Sequence, residues 1–564
     1  MTEDLNEDGK VKASMAKPKA KRRPAKAKAS TARDDNAILS LTWNLYELPS
    51  SQHKAGLAGL ALCVRFLERK PDREGVCKLE VLDGESLTLA VDRAGMQSLF
   101  DDVYDASLEE QAREKRFQKG KGDQKKDVPP KRIEIRETVD AKTQKSKSRE
   151  MFIYDQVVPR GALIEDMDTG SDGKKLWLKL WRDLVWSTLR GVPATREPYE
   201  ARAEKRRSSD AADAWDALAD RSHNSVELPS TYAIGAQAKS ADDVPFRDVE
   251  RFRFLLNFWP FVAAIYVPAT LARDGTRDFN GFAVVMPEVA NLEGFTEDWP
   301  SVARGRGNEA AGYRPRDAVI DIAGEAGLDV FRRCLDVVSS KQGASRTNDW
   351  LAAVDVFHLE RDGNNVRLRG MARLDPERSM VDEYARIRGG YWSPVFRRQR
   401  IGNVIDRMPW WRGFARLCAV TPETMTIGND HFRRDCRMAL TEVEMKQEVT
   451  DADQTLEHLI YKRIQAYVLG KTERKFDLSW STVQGNQAKE KEFREKKEKV
   501  GREAFLAVRS RTGADFVSYF TSTICSIPHH ASEEKYLAVA RALMDPHEVE
   551  RVRSLTLLAL SAIS

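Results

Sequence analysis

Residues 39–66 read LSLTWNLYELPSSQHKAGLAGLALCVRF, and this stretch decides how the chain begins to fold. Leu39, Leu41, Trp43 and Leu45 alternate with Ser40, Thr42 and Asn44, the period-two pattern of a half-buried strand. Pro49 ends it, and Ser50 or Ser51 can cap a helix running through Phe66. Lys78–Leu82 and Leu87–Val91 then predict a hairpin across Asp83-Gly84. The opening is therefore β-α-β-β, and the fold class it predicts is α+β.

Farther along, the pattern changes three times. Residues 105–150 are dense in Lys, Arg, Glu and Gln, with Gly120, Gly122 and Pro129-Pro130, which predicts a mobile basic insertion or long loop. A second soft stretch covers about 191–245. From about Met438 the sequence predicts helices only: Leu456, Leu459, Ile460, Ile464 and Tyr467 form one apolar helical face closed by Gly470, and further faces follow at Ala504–Val508, Tyr536–Leu543 and Val549–Leu558. The expected organisation is a disordered basic tail at 1–36, a large mixed α/β body at 37–437 and an all-α C-terminal helical bundle at 438–564. That bundle is expected to fold alone, and Met438 and Met445 stand at its start.

At 564 residues the chain is long enough for several cores. Its most apolar run, Leu255 to Ala272, contains Asn257, Pro260 and Pro268 and reads as buried core rather than a membrane span. The N-terminus is charged and lacks the apolar region of a signal peptide. The six cysteines are scattered without a CxxC pair, which suggests reduced thiols and a cytoplasmic protein. Net charge is +5, of which residues 1–36 supply +4, so the folded body is close to neutral. Only local charge can then point to nucleic acid; the basic tail, if it acts, adds sequence-independent attraction to phosphates.

Catalytic and cofactor motifs are not found. Gly470-Lys471-Thr472 would need a glycine at 465 to make a phosphate loop, and that position is Gln465. None of the eight histidines is followed by Asp, and Cys418, His431 and Cys436 have poor zinc spacing. His529-His530 reads as a loop between helices. The reading is no enzyme, no cofactor and no metal.

One segment does stand out. Between Tyr384 and Arg416 lie Arg386, Arg388, Arg397, Arg398, Arg400, Arg407, Arg412 and Arg416 against a single acid, Asp406, interleaved with Tyr391, Trp392, Phe396, Trp410, Trp411 and Phe414. Guanidinium groups suit phosphates and aromatic faces stack on bases, so the segment has the composition of a nucleic-acid groove. The competing reading is a core helix with aromatics inward and arginines snorkelling outward. His53 and Lys54, at the start of the first helix, are a second candidate phosphate contact; tight packing at Gly56 and Gly59 with a surface His is the alternative.

The run Leu48–Leu60 (LPSSQHKAGLAGL) resembles the N-terminal motif of the Cas-eight type large subunit, MYXAN subtype, of type I CRISPR Cascade complexes. Phe279–Val289 (FNGFAVVMPEV) is similar to a strand-and-proline motif of that family, and Val354–His358, Asn364-Asn365 and Pro409–Phe414 (PWWRGF) follow in the expected order. The resemblance implies a non-catalytic subunit of an RNA-guided complex. It would contact the guide RNA at its 5′ end, recognise the PAM of target double-stranded DNA, hold displaced DNA, and bind other Cascade subunits, with cleavage left to a recruited helicase-nuclease. The site residues expected on this reading are His53, Lys54, Arg386, Arg388, Arg397, Arg398, Arg400, Arg412, Trp410 and Trp411. The alternatives are a metal-dependent nuclease with an unrecognised site and a stand-alone RNA-binding scaffold.

Overall fold

The computed structural model describes residues 37–563, apart from 120–125, 140–145, 169–173, 190–195, 221–224, 229–233, 235–245, 273–274, 280, 343–348, 363–364, 376, 446–454 and 529–531. The basic tail at 1–36 and His529-His530 lie outside the described residues. Strand β1 (Leu39–Asn44) leads into helix α1 (Ser51–Glu68), followed by β2 (Cys77–Leu82), β3 (Ser86–Val91) and α2 (Arg93–Val103). The three strands form an antiparallel sheet in the order β1-β3-β2. This is the β-α-β-β opening read from the alternation, with Trp43 fully buried as its inward anchor.

The serine pair works as expected, because the Ser50 hydroxyl accepts the His53 N–H and caps α1. Helix α1 is buried along most of its length, and its two glycines explain how. A Cβ at Gly56 would lie 2.4 Å from the Leu255 carbonyl oxygen, and one at Gly59 would lie 2.2 Å from that of Phe258. Backbone thus sits directly against backbone, and the apolar run from Leu255 is the core segment that α1 covers.

That run continues into the strand Ala264–Leu271, but a separate sheet comes before it in the chain. The intervening sheet holds β4 (Ala106–Arg113), β5 (Arg132–Val139) and β6 (Ser146–Pro159), in the order β4-β6-β5. It overturns the long loop expected over 105–150. The charges that suggested a loop pair across the strands: Arg132 with Glu110 at 2.6 Å, Lys131 with Asp155 at 3.1 Å, and Arg149 with Glu114. Ile133 and Ile135 are exposed at 51% and 72%, so burial imposed no apolar alternation on β5, and the buried residues of β6, Phe152, Ile153 and Tyr154, are consecutive rather than alternating. The soft stretch at 191–245 likewise contains helices, Arg196–Ala203 and Asp210–Ala219, anchored by buried Tyr199 and Trp215.

The central sheet is built from β7 (Ala264–Leu271), β8 (Arg277–Phe279), β9 (Phe282–Val289), β10 (Leu351–Asp362) and β11 (Asn365–Leu374), antiparallel in the order β8-β7-β9-β10-β11. Residues 319–320 add a short parallel pairing to β7. Helix α1 packs on β9, and α3 (Glu325–Gln342) packs on β7, β9 and β10. No helix among the described residues is long and apolar enough to cross a membrane.

Beyond the sheet the chain is helical: α4 (Arg378–Gly390), α5 (Pro394–Ile405), α6 (Phe414–Val420), α7 (Asp430–Met445), α8 (Leu456–Phe476), α9 (Gln487–Arg509), α10 (Gly513–Ser522), α11 (Glu533–Met544) and α12 (Val549–Ile563). The chain is α+β, with sheets toward the N-terminus and helices toward the C-terminus. The boundary placed at Met438 needs correction, since Met438 falls in the middle of α7. The sequence-level change from mixed to helical pattern does not coincide with a break in packing.

Candidate nucleic-acid interface

Helices α4 and α5 and the turn 406–413 carry the Arg-rich segment. Ser393 caps α5 through its hydroxyl, and Pro394 occupies the first helical position. The buried Asp435 carboxylate of α7 accepts the backbone N–H groups of Trp392 at 2.9 Å and Ser393 at 2.6 Å, which fixes the α4–α5 corner. From α5, the Asn403 amide donates to the carbonyls of Pro409, Trp410 and Arg412 at 2.9–3.2 Å and thereby holds the PWW turn.

The arginines divide into two groups. Arg388 and Arg397 are drawn inward by carboxylates distant in sequence, and Arg400 by Glu383 of α4. Asp329 of α3, fully buried, accepts from Arg333 at 2.8 Å, Arg332 at 3.0 Å, the Tyr266 hydroxyl at 2.9 Å, and Arg388. Asp317 accepts from Arg333 at 3.0 Å and Arg388 at 3.4 Å. Asp321 holds Arg397 through Nε at 2.7 Å, with Arg277 at 3.5 Å on its other oxygen. Glu383 takes Arg400 at 2.9 Å. Burial pushes the Asp329 carboxyl upward, yet Arg333, Arg388 and Arg332 together hold it below the usual carboxylate range.

The local arginine excess is therefore largely balanced in three dimensions, which corrects the reading of Arg388, Arg397 and Arg400 as free phosphate contacts. His53 and Lys54 receive the same correction. His53 is 4% exposed and bonds to Ser50 at 2.7 Å and Asp248 at 2.9 Å, while Lys54 pairs with Glu288 at 2.9 Å. Trp411 is buried with the Arg551 guanidinium 5.5 Å from its ring, and Trp410 packs 5.6 Å from Arg400. The aromatics mostly face inward, as the core reading anticipated.

The second group faces solvent. Arg386, Arg412 and Arg416 are exposed, and Arg398 is half-buried at the edge of an open groove. Among the described residues no carboxylate lies within ion-pair distance of these four. Asp317, Asp321, Glu325 and Asp329 were the residues sequence reading missed; their regular four-residue spacing was a visible signal, but only Glu325 and Asp329 lie on α3, and their partners in the Arg-rich segment lie some 60–75 positions away.

Glu325 belongs to the same network and is 2% exposed, accepting from the Tyr384 hydroxyl at 3.1 Å and the Asp321 N–H at 2.7 Å. Burial, with the Asp321 charge adding, pushes its carboxyl up to about 7 from 4.5. A carboxyl raised on folding favours the native state while protonated, so its contribution is complete below about 4.5 and is lost as pH rises through about 7. Glu325→Gln should remove that decline: across this window the midpoint of chemical unfolding of the wild type should fall relative to the variant. Parallel curves for the two proteins would refute the assignment.

Cys418 and Cys436 are buried, and burial holds both thiols well above their ordinary range, whereas His431 lies at the surface against Trp392. Among the described residues no cluster of three or more His, Cys, Asp or Glu is placed to hold a metal ion.

Acids on α3 and in the turns before it thus face an Arg-rich helical layer, with a second set of arginines left outward. Comparison with known families gives the assignment. The model of the type I-B CRISPR Cas8b N-terminal domain matches residues 76–344, and that of the Cas8b C-terminal domain matches 351–563. The chain belongs to the type I-B Cas8b family of CRISPR large subunits. No curated protein matches it. Membership places the chain in a CRISPR effector complex with other Cas subunits.

Proposed function

We propose that this chain acts as the non-catalytic, cytoplasmic large subunit of an RNA-guided DNA surveillance complex and contacts nucleic acid through Arg386, Arg398, Arg412 and Arg416. The observation that carries the reading is the division of the Arg-rich segment: Arg388, Arg397, Arg400 and Arg407 are paired with carboxylates, while these four keep none among the described residues. A surface arginine without an acidic partner is free to displace counterions from a phosphate backbone. On this reading the bound nucleic acids are guide RNA and PAM-containing duplex, and a recruited helicase-nuclease performs cleavage. The finer MYXAN assignment rests on the motif resemblance at 48–60.

Replacing Arg398, Arg412 and Arg416 together by Ala should weaken duplex binding at low salt and flatten the plot of log affinity against log salt by up to about 0.9 per lost contact. All three are solvent-facing or at a groove edge, so the variant should keep the wild-type unfolding midpoint. Unchanged affinity and slope in a folded variant would reject the interface. Metal-dependent cutting by the purified chain would instead favour the nuclease alternative.

A further inference from the structure

Between α4, the 408–410 turn and α7 lies a cavity of about 300 Å³. Arg400 forms part of its wall at 7% exposure. Its Nη2 donates to Glu383, but its Nε and Nη1 are buried and meet no acceptor. Among the described residues it is the one side chain with two buried nitrogens in that state. Aromatic rings flank it, Trp410 at 5.6 Å and Tyr391 at 6.0 Å from the guanidinium carbon. A buried N–H without an acceptor is costly, so a ligand that brings acceptors is favoured here.

The remaining lining limits what that ligand can be. Besides Arg386 and Arg400 the wall carries two carboxylates, Glu383, which holds Arg400, and Glu442, which accepts the Tyr391 hydroxyl at 3.3 Å. A phosphate would have to sit beside two carboxylates. A neutral, flat group with acceptors on one edge and donors on another meets no such repulsion and offers its face to Trp410. Guanine has those edges: O6 and N7 accept from arginine, and N1–H and the N2 amino group donate to a carboxylate. Sequence-specific readout of single strands commonly uses unstacked bases of this kind.

We propose that the cavity takes one unstacked guanine of a single-stranded nucleic acid, with Arg400 on its acceptor edge, Glu383 or Glu442 on its donor edge and Trp410 against its face. This deepens, and rests on, the nucleic-acid reading above. The strand's backbone would leave the cavity past exposed Arg386.

The test uses the full chain and labelled oligodeoxythymidine carrying one central G, A or C, read by fluorescence anisotropy. The G-containing strand should bind about 5- to 150-fold more tightly than the others, the range of one well-made arginine–guanine contact. Arg400→Lys should abolish that preference without changing the salt slope, and Trp410→Ala, at a half-buried position, should weaken it with the fold intact by thermal unfolding. Binding without any base preference would overturn the pocket and leave the surface interface standing. Binding of no strand by a chain that still binds duplex would overturn the pocket alone, and binding of neither would overturn both. Deoxyguanosine monophosphate that competes as tightly as the strand would overturn the assignment to a strand and make a free nucleotide the occupant.

Discussion

Asp329→Ala should lower the stability of the folded chain by about 3–5 kcal/mol, the usual cost of leaving a buried ion network without its partner. Asp329 is fully buried and satisfies Arg332, Arg333, Arg388 and the Tyr266 hydroxyl at once. Its removal leaves Arg333, itself only 6% exposed, with Asp317 as its one carboxylate, shared with Arg388, and leaves the buried Tyr266 hydroxyl without its acceptor. Arg388 can still lean on Asp317, so the effect should come mainly through Arg333 and Tyr266. Urea unfolding followed by circular dichroism measures it. Arg386→Ala, a change at an exposed arginine of the same helix as Arg388, should stay within about 0.5 kcal/mol of wild type. If the two variants unfold alike, the division of the arginines into inward and outward sets is wrong.

That division also shows how far the sequence could be read. The opening strand, the capped helix and the hairpin were legible because their signals are local: alternation at 39–45, a serine before an apolar run, and Asp-Gly between two strands. The C-terminal helices were legible for the same reason, through apolar residues at helical spacing. The sheet at 106–159 was not, because a sheet exposed on much of its surface keeps few apolar residues, and its stabilising charge pairs are separated by 22 to 35 positions. The Arg-rich segment failed in the same way. Counting acids within 384–416 found one; Glu383, the partner of Arg400, stands just outside that window, and the acids that hold Arg388 and Arg397 stand at 317–329, brought alongside only when α3 packs on the sheet and α4 lies against it. Local charge excess is a property of sequence, but a free cation is a property of the fold.

The C-terminal fragment 438–564 should be markedly less stable than the fragment 410–564. The reason is α12, whose residues from Val552 to Ile563 are all buried. It is the central helix of the C-terminal region, packed by α6 and α7 as well as by α8, α9, α10 and α11. A chain starting at Met438 lacks α6 and the half of α7 that carries buried Phe432 and Cys436. It also loses the Ala415 N–H donated to the Ser554 hydroxyl at 3.2 Å, the Thr421 carbonyl that accepts from Arg509 at 2.7 Å, and the Arg437 Nε donated to the Ala562 carbonyl at 3.0 Å. Each large apolar side chain of α12 returned to water costs about 1.5–3 kcal/mol, so exposing two or three of them removes about 3–9 kcal/mol, a large share of the roughly 5–15 kcal/mol that holds a domain folded. The longer fragment should unfold cooperatively in urea; the shorter one should have a much lower midpoint or associate through the uncovered face of α12. A start at Met445 removes α7 altogether and should behave worse still. A product made from either methionine would therefore need a partner surface, another subunit or a second copy, in place of α6 and α7. Equal midpoints for monomeric 438–564 and 410–564 would show that α12 does not need those helices and would restore the boundary at Met438.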